Sequence, residues 1–490
     1  MGKVYLIGAG PSNIGLFTLQ GKAILEQADV VVYDALVSAE ILLFAREDAK
    51  FINVGKRSSN HTMVQADINQ VLLEEAQKGQ VVARLKGGDP FLFGRGGEEL
   101  ELLAKYNIPF EVIPGVTSSI AVPAYNGIPV THRDFTSSVH IVTGHKKAGD
   151  TYDINFKALV DTKGTLVFLM GVAALKDICQ GLQDGGMDKD MPAAILQQGT
   201  TANQKRIVAT LSTLWESVQK QKIQTPAIIV VGAVCSLSKD FGWYENLPLA
   251  GKKVLVPRPK ALSSTLAQKL RDRGAQVVEM PTIKIQPLDT PNITNALTHL
   301  DAYNWLVLTS PTGVDMFFNK VLETGQDLRS LHHLKFAVIG NGTAKALKER
   351  GIIADLVPSV FDGEHLAYEM VEQGIVGESI LVPRAEKGQK SIIEILISAG
   401  AKVTDLAIYT TEFCKNDIIA EKITDIRYIM FTSSSTVEAF VQGNPSFDIT
   451  QVTALCIGKK TEATAKSLNF KTKMAEESTM DSLISLLEKI

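Results

Sequence analysis

The chain opens on a run of apolar residues, KVYLIGAG (3–10), that closes in glycine. ADVVVYDAL (28–36), QVVARLKGGDP (80–90) and FEVIPGV (110–116) repeat the pattern. Between them lie stretches whose apolar positions recur at helical spacing, such as MVQADINQVLLEEAQKG (63–79). Short apolar runs that end in small residues and alternate with amphipathic helices predict an α/β class with a largely parallel sheet. The same style continues past residue 138 in VHIVTG, GTLVFLMG, MPAAILQQGT and PAIIVVGAV. It lapses at SKDFGWYENLPLAGKK (238–253), which has no clear period and carries Gly, Pro and Asn. That stretch reads as a joint between domains, after which KKVLVPRPK restarts the strand pattern.

The second half repeats itself. VLVPRP at 254 recurs as ILVPRA at 380, LTSPTGVDMF at 308 as FTSSSTVEAF at 431, and AVIGNGTAKAL at 337 as ALCIGKKTEAT at 454. Any α/β chain yields some strand–loop–helix likeness, but three matches in the same order favour a duplication. Two related lobes are expected, with strand-end loops facing a shared cleft.

Composition narrows the class. At ~150 residues per domain, 490 residues allow roughly three. Apolar residues at 45% and charged residues at 21% exclude a disordered or collagenous chain. Fifty basic against 53 acidic residues leave a net charge of −3, which argues against bulk binding of nucleic acid or an anionic membrane but allows a local cationic pocket. Cys179, Cys235, Cys414 and Cys456 lie far apart and form no CxxC. They fit buried thiols in a reducing compartment better than a disulfide framework or zinc site. No leader-like opening and no run of eighteen apolar residues occurs, so a soluble cytoplasmic protein is expected.

Three motifs carry the chemistry. GAGP (8–11) continues SNIG and does not complete GxGxxG, so alone it indicates only a tight strand-to-helix turn or a weak nucleotide site. RLKGGDPFLFGRGGEE (84–99) packs five glycines into sixteen residues, which lets backbone approach a ligand closely. In it Arg95 is either a surface arginine paired with Glu98 or Glu99, or a guanidinium aimed into a cleft to grip a carboxylate. IPGVTSSIAVPAYNGIPVTHRD (113–134) puts Thr117 and Ser118 at a helix start, where hydroxyls cap, and His132 and Arg133 in a loop. VGKRSSNH (54–61) adds Lys56, Arg57 and His61. Each cation alone reads as a solvated charge; together they suit an anionic small molecule.

Residues 1–245 resemble uroporphyrinogen-III C-methyltransferase, of the tetrapyrrole (class III) methyltransferase family. The resemblance rests on GAGP, YDALVS (33–38), VGKR with His61 and Gln65, RLKGGDPFLFGRGGEE, IPGVTSS, GIPVTHR (127–133), FLMG (168–171) and TPA (225–227), all in order. It implies a bilobed fold, with lobes of about 1–112 and 113–245 and S-adenosylmethionine bound between them. By matching motif positions, Pro11, Gly87, Gly88, Asp89, Thr117, Ser118, Met170, Gly199 and Ala227 would contact the cofactor. Arg95 and Glu98 would be catalytic, Arg95 gripping a substrate carboxylate and Glu98 orienting it or assisting proton removal. Lys56, Arg57, His61, His132 and Arg133 would bind substrate. The implied reaction is double methylation of uroporphyrinogen III to precorrin-2, with S-adenosylhomocysteine as co-product and no metal. The product serves sirohaem and cobalamin alike, and the resemblance implies a homodimer through this half. Where the family continues Gly-Asp-Pro after GAGP, this chain has Ser12-Asn13-Ile14, a neutral amide in place of an acid.

Residues 251–490 resemble uroporphyrinogen-III synthase through GKKVLVPRPK, LAQKLRDRGAQVVEMPTI (266–283), WLVLTSPTGVDMFF (305–318), FAVIGNGTAKALKERGI (336–352), DLAIYTT (405–411), IMFTSSSTVEAF (429–440) and LCIGKKTEATAKSL (455–468). This implies two α/β lobes joined by a two-stranded connector, lobe one about 251–285 plus 409–490 and lobe two about 286–408. The reaction is a lyase-type closure of hydroxymethylbilane to uroporphyrinogen III with inversion of ring D. Tyr409 would help the hydroxyl leave. Arg258, Thr309, Ser310, Arg384, Thr432, Ser433 and Thr461 would bind substrate carboxylates. The whole therefore reads as a bifunctional tetrapyrrole enzyme with no nucleic-acid or membrane partner. The alternatives are a methyltransferase of another tetrapyrrole or of a diphthine precursor, and a non-catalytic C-terminal binding module. An NAD-dependent dehydrogenase is disfavoured, because GAGP lacks the full fingerprint.

Overall fold

The computed structural model describes all residues except 1, 47, 56–62, 145–153, 260–264, 389, 415–422 and 424, and for residues 258 and 259 the backbone alone. The chain forms two compact units. One takes in Met1–Arg258, Leu262–Met280 and Asn416–Ile490; the other takes in Pro259–Ala261 and Pro281–Lys415.

The first unit begins with a parallel five-stranded sheet. Its strands are β1 (Lys3–Gly8), β2 (Val30–Tyr33), β3 (Lys50–Asn53), β4 (Val81–Lys86) and β5 (Phe110–Ile113), in the order β3-β2-β4-β1-β5. β2 is VVVY and wholly buried, as expected of a β-branched run inside a sheet covered on both faces. Register sets Gly8 beside Lys86 and Ile7 beside Ile113, so the loops after β1, β4 and β5 leave the sheet side by side.

A second sheet follows, with β6 (Val139–Thr143), β7 (Thr165–Leu169), β8 (Pro192–Gln197), β9 (Lys205–Thr210) and β10 (Ala227–Val231) in the order β6-β7-β10-β8-β9. Only β6 and β7 are parallel; β10 runs antiparallel to β7 and β8, and β8 antiparallel to β9. This corrects the parallel arrangement expected after residue 138. The stretch 198–204 between β8 and β9 holds no helix, and a parallel return needs a crossover of a dozen or more residues.

The rest of the first unit comes from beyond the joint. β11 (Lys253–Pro259), β17 (Tyr428–Phe431), β18 (Thr453–Cys456) and β19 (Lys471–Met474) lie in that order, all parallel. Their residues do not form a wholly separate core. Ala39, Ile41 and Leu42 share one buried apolar cluster with Val278, Met280, Ile423 and Ile426. Compactness therefore divides the chain elsewhere than at the 245–251 joint.

In the second unit β12 (Gln276–Pro287, from Pro281), β13 (Trp305–Leu308), β14 (Lys335–Val338), β15 (Ser379–Ala385) and β16 (Lys402–Phe413) take the order β14-β13-β15-β16-β12. β12 and β16 pair antiparallel from Ile283 opposite Phe413 to Pro287 opposite Tyr409. The sequence repeat has a structural counterpart. β11, β17 and β18 are ordered and oriented as β15, β13 and β14 are. Ser433 and Ser310 each cap the helix after β17 or β13, accepting from the amide three residues on at 3.2 and 2.9 Å. Gly458 and Gly340 hold the matching cap positions after β18 and β14.

Three of the four cysteines are buried; Cys414 is partly exposed. Burial pushes the thiols of Cys179, Cys235 and Cys456 up to about 11, 12 and 12. Because the thiolate is the reactive form, titration of the native chain with an aromatic disulfide at about pH 8 is expected to release at most one equivalent of chromophore. Denaturation should release all four.

Candidate functional site

The loops at the C-terminal ends of β1, β4 and β5 meet backbone to backbone. Gly10 N donates to Gly88 O at 3.1 Å, and Gly88 N donates to Gly10 O at 2.9 Å. Both have φ near +65° to +70°, a region open to glycine and costly for other residues. A Cβ on Gly115 would stand 2.3 Å from the Gly88 carbonyl oxygen, and one on Gly8 would stand 2.4 Å from Gly115 Cα. Asp89 ties the same loops together. Its Oδ1 accepts from Phe91 N and Leu92 N at 2.8 and 3.1 Å, and its Oδ2 from Gly115 N at 3.0 Å.

These loops border a cavity of about 660 Å3 whose other walls come from the segment after β2, from loops of the second sheet and from Lys253, Gln276, Val278 and Asp425. Pro11, Gly87, Gly88, Asp89, Thr117, Ser118, Met170, Gly199 and Ala227 all line it, so the nine residues expected around a cofactor share one space. Each is set there by a local feature. Thr117 caps the helix Ser118–Tyr125, its hydroxyl accepting from Ser119 N. Met170 follows β7 with φ 56°. Gly199 follows β8, where a Cβ would meet Val122 Cγ1 at 2.3 Å. Ala227 opens β10.

Backbone strain gathers here. Ser12, Phe93, Met170 and Gln198 have positive φ and line the cavity. Thr200, a β-branched residue at φ 70°, donates its hydroxyl to the Pro11 carbonyl. Each such residue costs on the order of 1–3 kcal/mol, and such residues collect where function fixes the backbone. Leu36, Phe93 and Met170 are lining residues that remain between 40% and 57% exposed, an apolar mouth of which the motifs had named Met170 alone. The cavity fits the cofactor the sequence implied: Gly87, Gly88 and Gly199 put bare backbone on its wall, and apolar Leu36 and Met170 line it together with polar Asp89 and Thr117.

Arg95 begins the helix Gly96–Lys105 in the left-handed region and is not among the cavity-lining residues. Its guanidinium grips Glu98 through Nε–Oε1 at 2.9 Å and Nη2–Oε2 at 2.5 Å, with both side chains about half exposed. That bond holds the Glu98 carboxyl below the ordinary carboxylate range. Glu99 behaves differently from its neighbour. It is wholly buried and accepts from Lys86 Nζ at 2.6 Å, Arg84 Nη2 at 3.2 Å and Gln65 Nε2 at 3.3 Å. Arg84 and Lys86 sit two residues apart on β4 and so share one face, and both are buried. Burial, with Arg84 as a like charge, draws the Lys86 ammonium below its ordinary value. Buried charges persist only when paired, which accounts for the acid at position 99. The strand's alternation pointed to that shared face; only the fold showed that it meets Glu99.

His132 and Arg133 do not line the cavity. His132 Nδ1 accepts from Asp134 N at 3.2 Å, and its ring meets Phe135 edge-on at 5.0 Å. Lys56, Arg57 and His61 lie outside the described residues. Asn13 Oδ1 caps the turn at Ile14–Leu16, accepting from Gly15 N at 2.8 Å. An aspartate oxygen can accept the same bond, so the departure from the family leaves this turn intact.

In the second unit Ser310 Oγ and Tyr409 Oη lie 3.1 Å apart. Burial raises the Tyr409 phenol above its ordinary value, and the Ser310 contact offsets part of that. Thr309 is half-buried on the same strand-end loop. Arg384 corrects an expectation. It is 4% exposed, and its Nε and Nη2 each bond Asp405 at 2.6 Å, while Nη1 donates to Ala385 O at 2.7 Å. Most of its donors are thus held by its own unit, where the guanidinium ties β15 to β16. Arg258, its repeat equivalent, has no described side chain. Thr432, exposed, and Ser433, half-buried, stand at the end of β17 in the first unit, and Thr461 is buried within the helix Lys459–Ser467. No cluster of three or more His, Cys, Asp or Glu suited to a metal occurs among the described residues. Among them no helix is long and apolar enough to cross a membrane.

Comparison with known proteins matches residues 3–214 to the Tetrapyrrole (Corrin/Porphyrin) Methylases and residues 264–485 to Uroporphyrinogen-III synthase HemD. A porphyrin biosynthesis protein HemD of Ruminiclostridium josui is 46% identical over 494 aligned positions, covering 100% of this chain and 98% of the relative. A uroporphyrinogen-III C-methyltransferase of Bacillus subtilis is 48% identical over 246 residues, which is 50% of this chain and 96% of the relative. Among solved structures, uroporphyrin-III C-methyl transferase from Thermus thermophilus, complexed with S-adenyl homocysteine, is 36% identical at a TM-score of 0.42. It covers 48% of this chain and 99% of that one.

Gly115→Ala is expected to force the β4 and β5 loops apart and abolish S-adenosylhomocysteine binding measured by calorimetry. Gly97→Ala, where an added Cβ meets nothing within 4 Å, should leave it unchanged.

Proposed function

The chain belongs to the tetrapyrrole methylases over its first half and to the uroporphyrinogen-III synthases over its second, and from that premise we propose that it performs two consecutive steps. Residues 251–490 close hydroxymethylbilane to uroporphyrinogen III, and residues 1–245 methylate that product twice to precorrin-2. The observation that carries the methylase reading is the convergence of all nine expected cofactor residues on one cavity.

S-Adenosylmethionine, when bound, supplies a sulfonium-activated methyl group. Pro11, Gly87, Gly88, Thr117, Ser118, Met170, Gly199 and Ala227 would hold it against backbone, and Asp89 keeps their loops in register. The chain's own contribution is placement. A pyrrole carbon of the macrocycle is already an enamine-like nucleophile, so alignment with the methyl group and exclusion of water dominate. Leu36, Phe93 and Met170 offer the apolar surface for the macrocycle. Arg95, already forked onto Glu98, exchanges part of that grip for a substrate carboxylate, which gives Glu98 the orienting role in preference to proton removal. A carboxyl held below its usual range is a weak base at neutral pH.

In the synthase half the hydroxyl of the bilane must leave as water, which requires a proton. Tyr409 keeps its proton across the neutral range because burial raises its phenol, and Ser310, 3.1 Å away, holds the phenol oxygen in place. A homodimer through the methylase half and a cytoplasmic setting complete the reading; sedimentation velocity tests the first.

Chromatographic separation of the ring isomers formed from hydroxymethylbilane, coupled to mass spectrometry, is expected to find uroporphyrinogen III without S-adenosylmethionine and precorrin-2 with it. Uroporphyrinogen I in both would sink the synthase assignment. Arg95→Ala should slow precorrin-2 formation about tenfold or more, through lost positioning, and leave uroporphyrinogen III formation unchanged. Tyr409→Phe should slow ring closure about a hundredfold if the phenol is a general acid. A raised phenol stays protonated longer as pH climbs, so the wild-type closure rate should show no tyrosine-dependent alkaline loss below about pH 10.

A further inference from the structure

One wall of the cavity does not come from the methylase half. Lys253, Gln276, Val278 and Asp425 all lie beyond the interdomain joint, and all line the cavity beside Glu40 and Asn203. They belong to the same compact unit as the methylase residues.

Gln276 bonds in two directions. Its Oε1 accepts from Ala202 N at 3.1 Å, and its Nε2 donates to Glu40 Oε1 at 3.1 Å. It thereby joins the segment after β8 to the segment after β2. Glu40 is 5% exposed, so a buried carboxylate stands on the cavity wall with Gln276 as its hydrogen-bond donor. Asp425 accepts from Asn203 Nδ2 at 3.1 Å and pairs with Lys253. Behind these contacts Ala39 and Ile41 pack in one apolar cluster with Val278, Met280 and Ile426. Shared core and polar links together make this wall a built surface.

A ligand bearing a sulfonium and an ammonium group is cationic, and a carboxylate in a low-dielectric wall favours such a charge more than the same group in water does. We propose that the synthase half completes the cofactor site of the methylase half: Gln276 acts as a positioning residue for the buried Glu40 carboxylate, and Asp425, held by Lys253, adds a second carboxylate to the wall. Affinity for S-adenosylmethionine then depends on residues that a free-standing methylase does not contain. By thermodynamic reciprocity, cofactor binding tightens the synthase lobe that supplies them. The inference rests on the methylase reading of the cavity.

The test uses the full chain. Gln276→Leu and Asp425→Asn are compared with wild type for S-adenosylmethionine and S-adenosylhomocysteine binding by calorimetry, the sulfonium ligand being the more affected, and for the KM and kcat of methylation. Asp481→Asn is the control, because it breaks the Lys269–Asp481 pair of the same lobe without touching the cavity lining. Hydrogen bonds to charged groups predict a Kd and KM raised about tenfold in both test variants with kcat largely kept, and no change in the control. Uroporphyrinogen III formation should stay at the wild-type level, which shows that the variants are folded. In wild type, S-adenosylhomocysteine should slow hydrogen exchange at residues 276–280 and 425–431. Unchanged Kd in both variants, or a drop in kcat alone, would overturn the proposal. Failure of the wild type itself to bind S-adenosylhomocysteine would instead overturn the methylase reading, and this inference with it.

Discussion

The reciprocal pair of amide bonds between Gly10 and Gly88 is the constraint on which the methylase site depends. It forces the ends of β1 and β4 into contact outside the sheet, and the absence of a Cβ at Gly8 and Gly115 lets the end of β5 join them. Asp89 then fixes the meeting point by accepting three backbone amides. A cavity wall made of backbone has few rotamers to order when a ligand arrives, so less of the binding free energy is offset by lost freedom.

Behind that wall lies a second requirement. β4 carries Arg84 and Lys86 on a buried face, and Glu99 is turned inward to meet them. Glu98, one residue earlier on the same helix, faces outward with Arg95. Adjacent positions on a helix point about 100° apart, so one dipeptide meets buried cations on the inner side and Arg95 on the outer. The two carboxylates at 98–99 therefore have separate partners and are not one redundant charge.

The synthase half shows how one plan yields different chemistry when duplicated. Both copies keep the parallel strand triplet and the serine cap, because these make a strand-to-helix turn. The copies diverge in what faces the serine: Ser310 meets Tyr409, whereas Ser433 meets Ser435 and Thr436. The arginine of the VPR motif shows how a residue with a functional look can serve as a brace. A guanidinium buried among backbone carbonyls and one aspartate commits most of its donors to its own fold.

Alternation of apolar runs and helices determined the α/β class and ordered motifs the repeat, while the family resemblance named nine of the residues that line the cavity. These are local properties: a strand's period, a turn's need for glycine and a cap's need for a hydroxyl are written within a few residues. Strand direction in the second sheet was not legible, because apolar runs look alike in either direction and the intervening segments decide. Nor was the inward turn of Glu99, the bracing of Arg384, or the arrival of Lys253, Gln276 and Asp425 at a cavity begun by Gly10. Those depend on which surfaces meet across hundreds of residues. Long-range packing decided them, because burial and charge pairing act between segments that the chain itself keeps far apart.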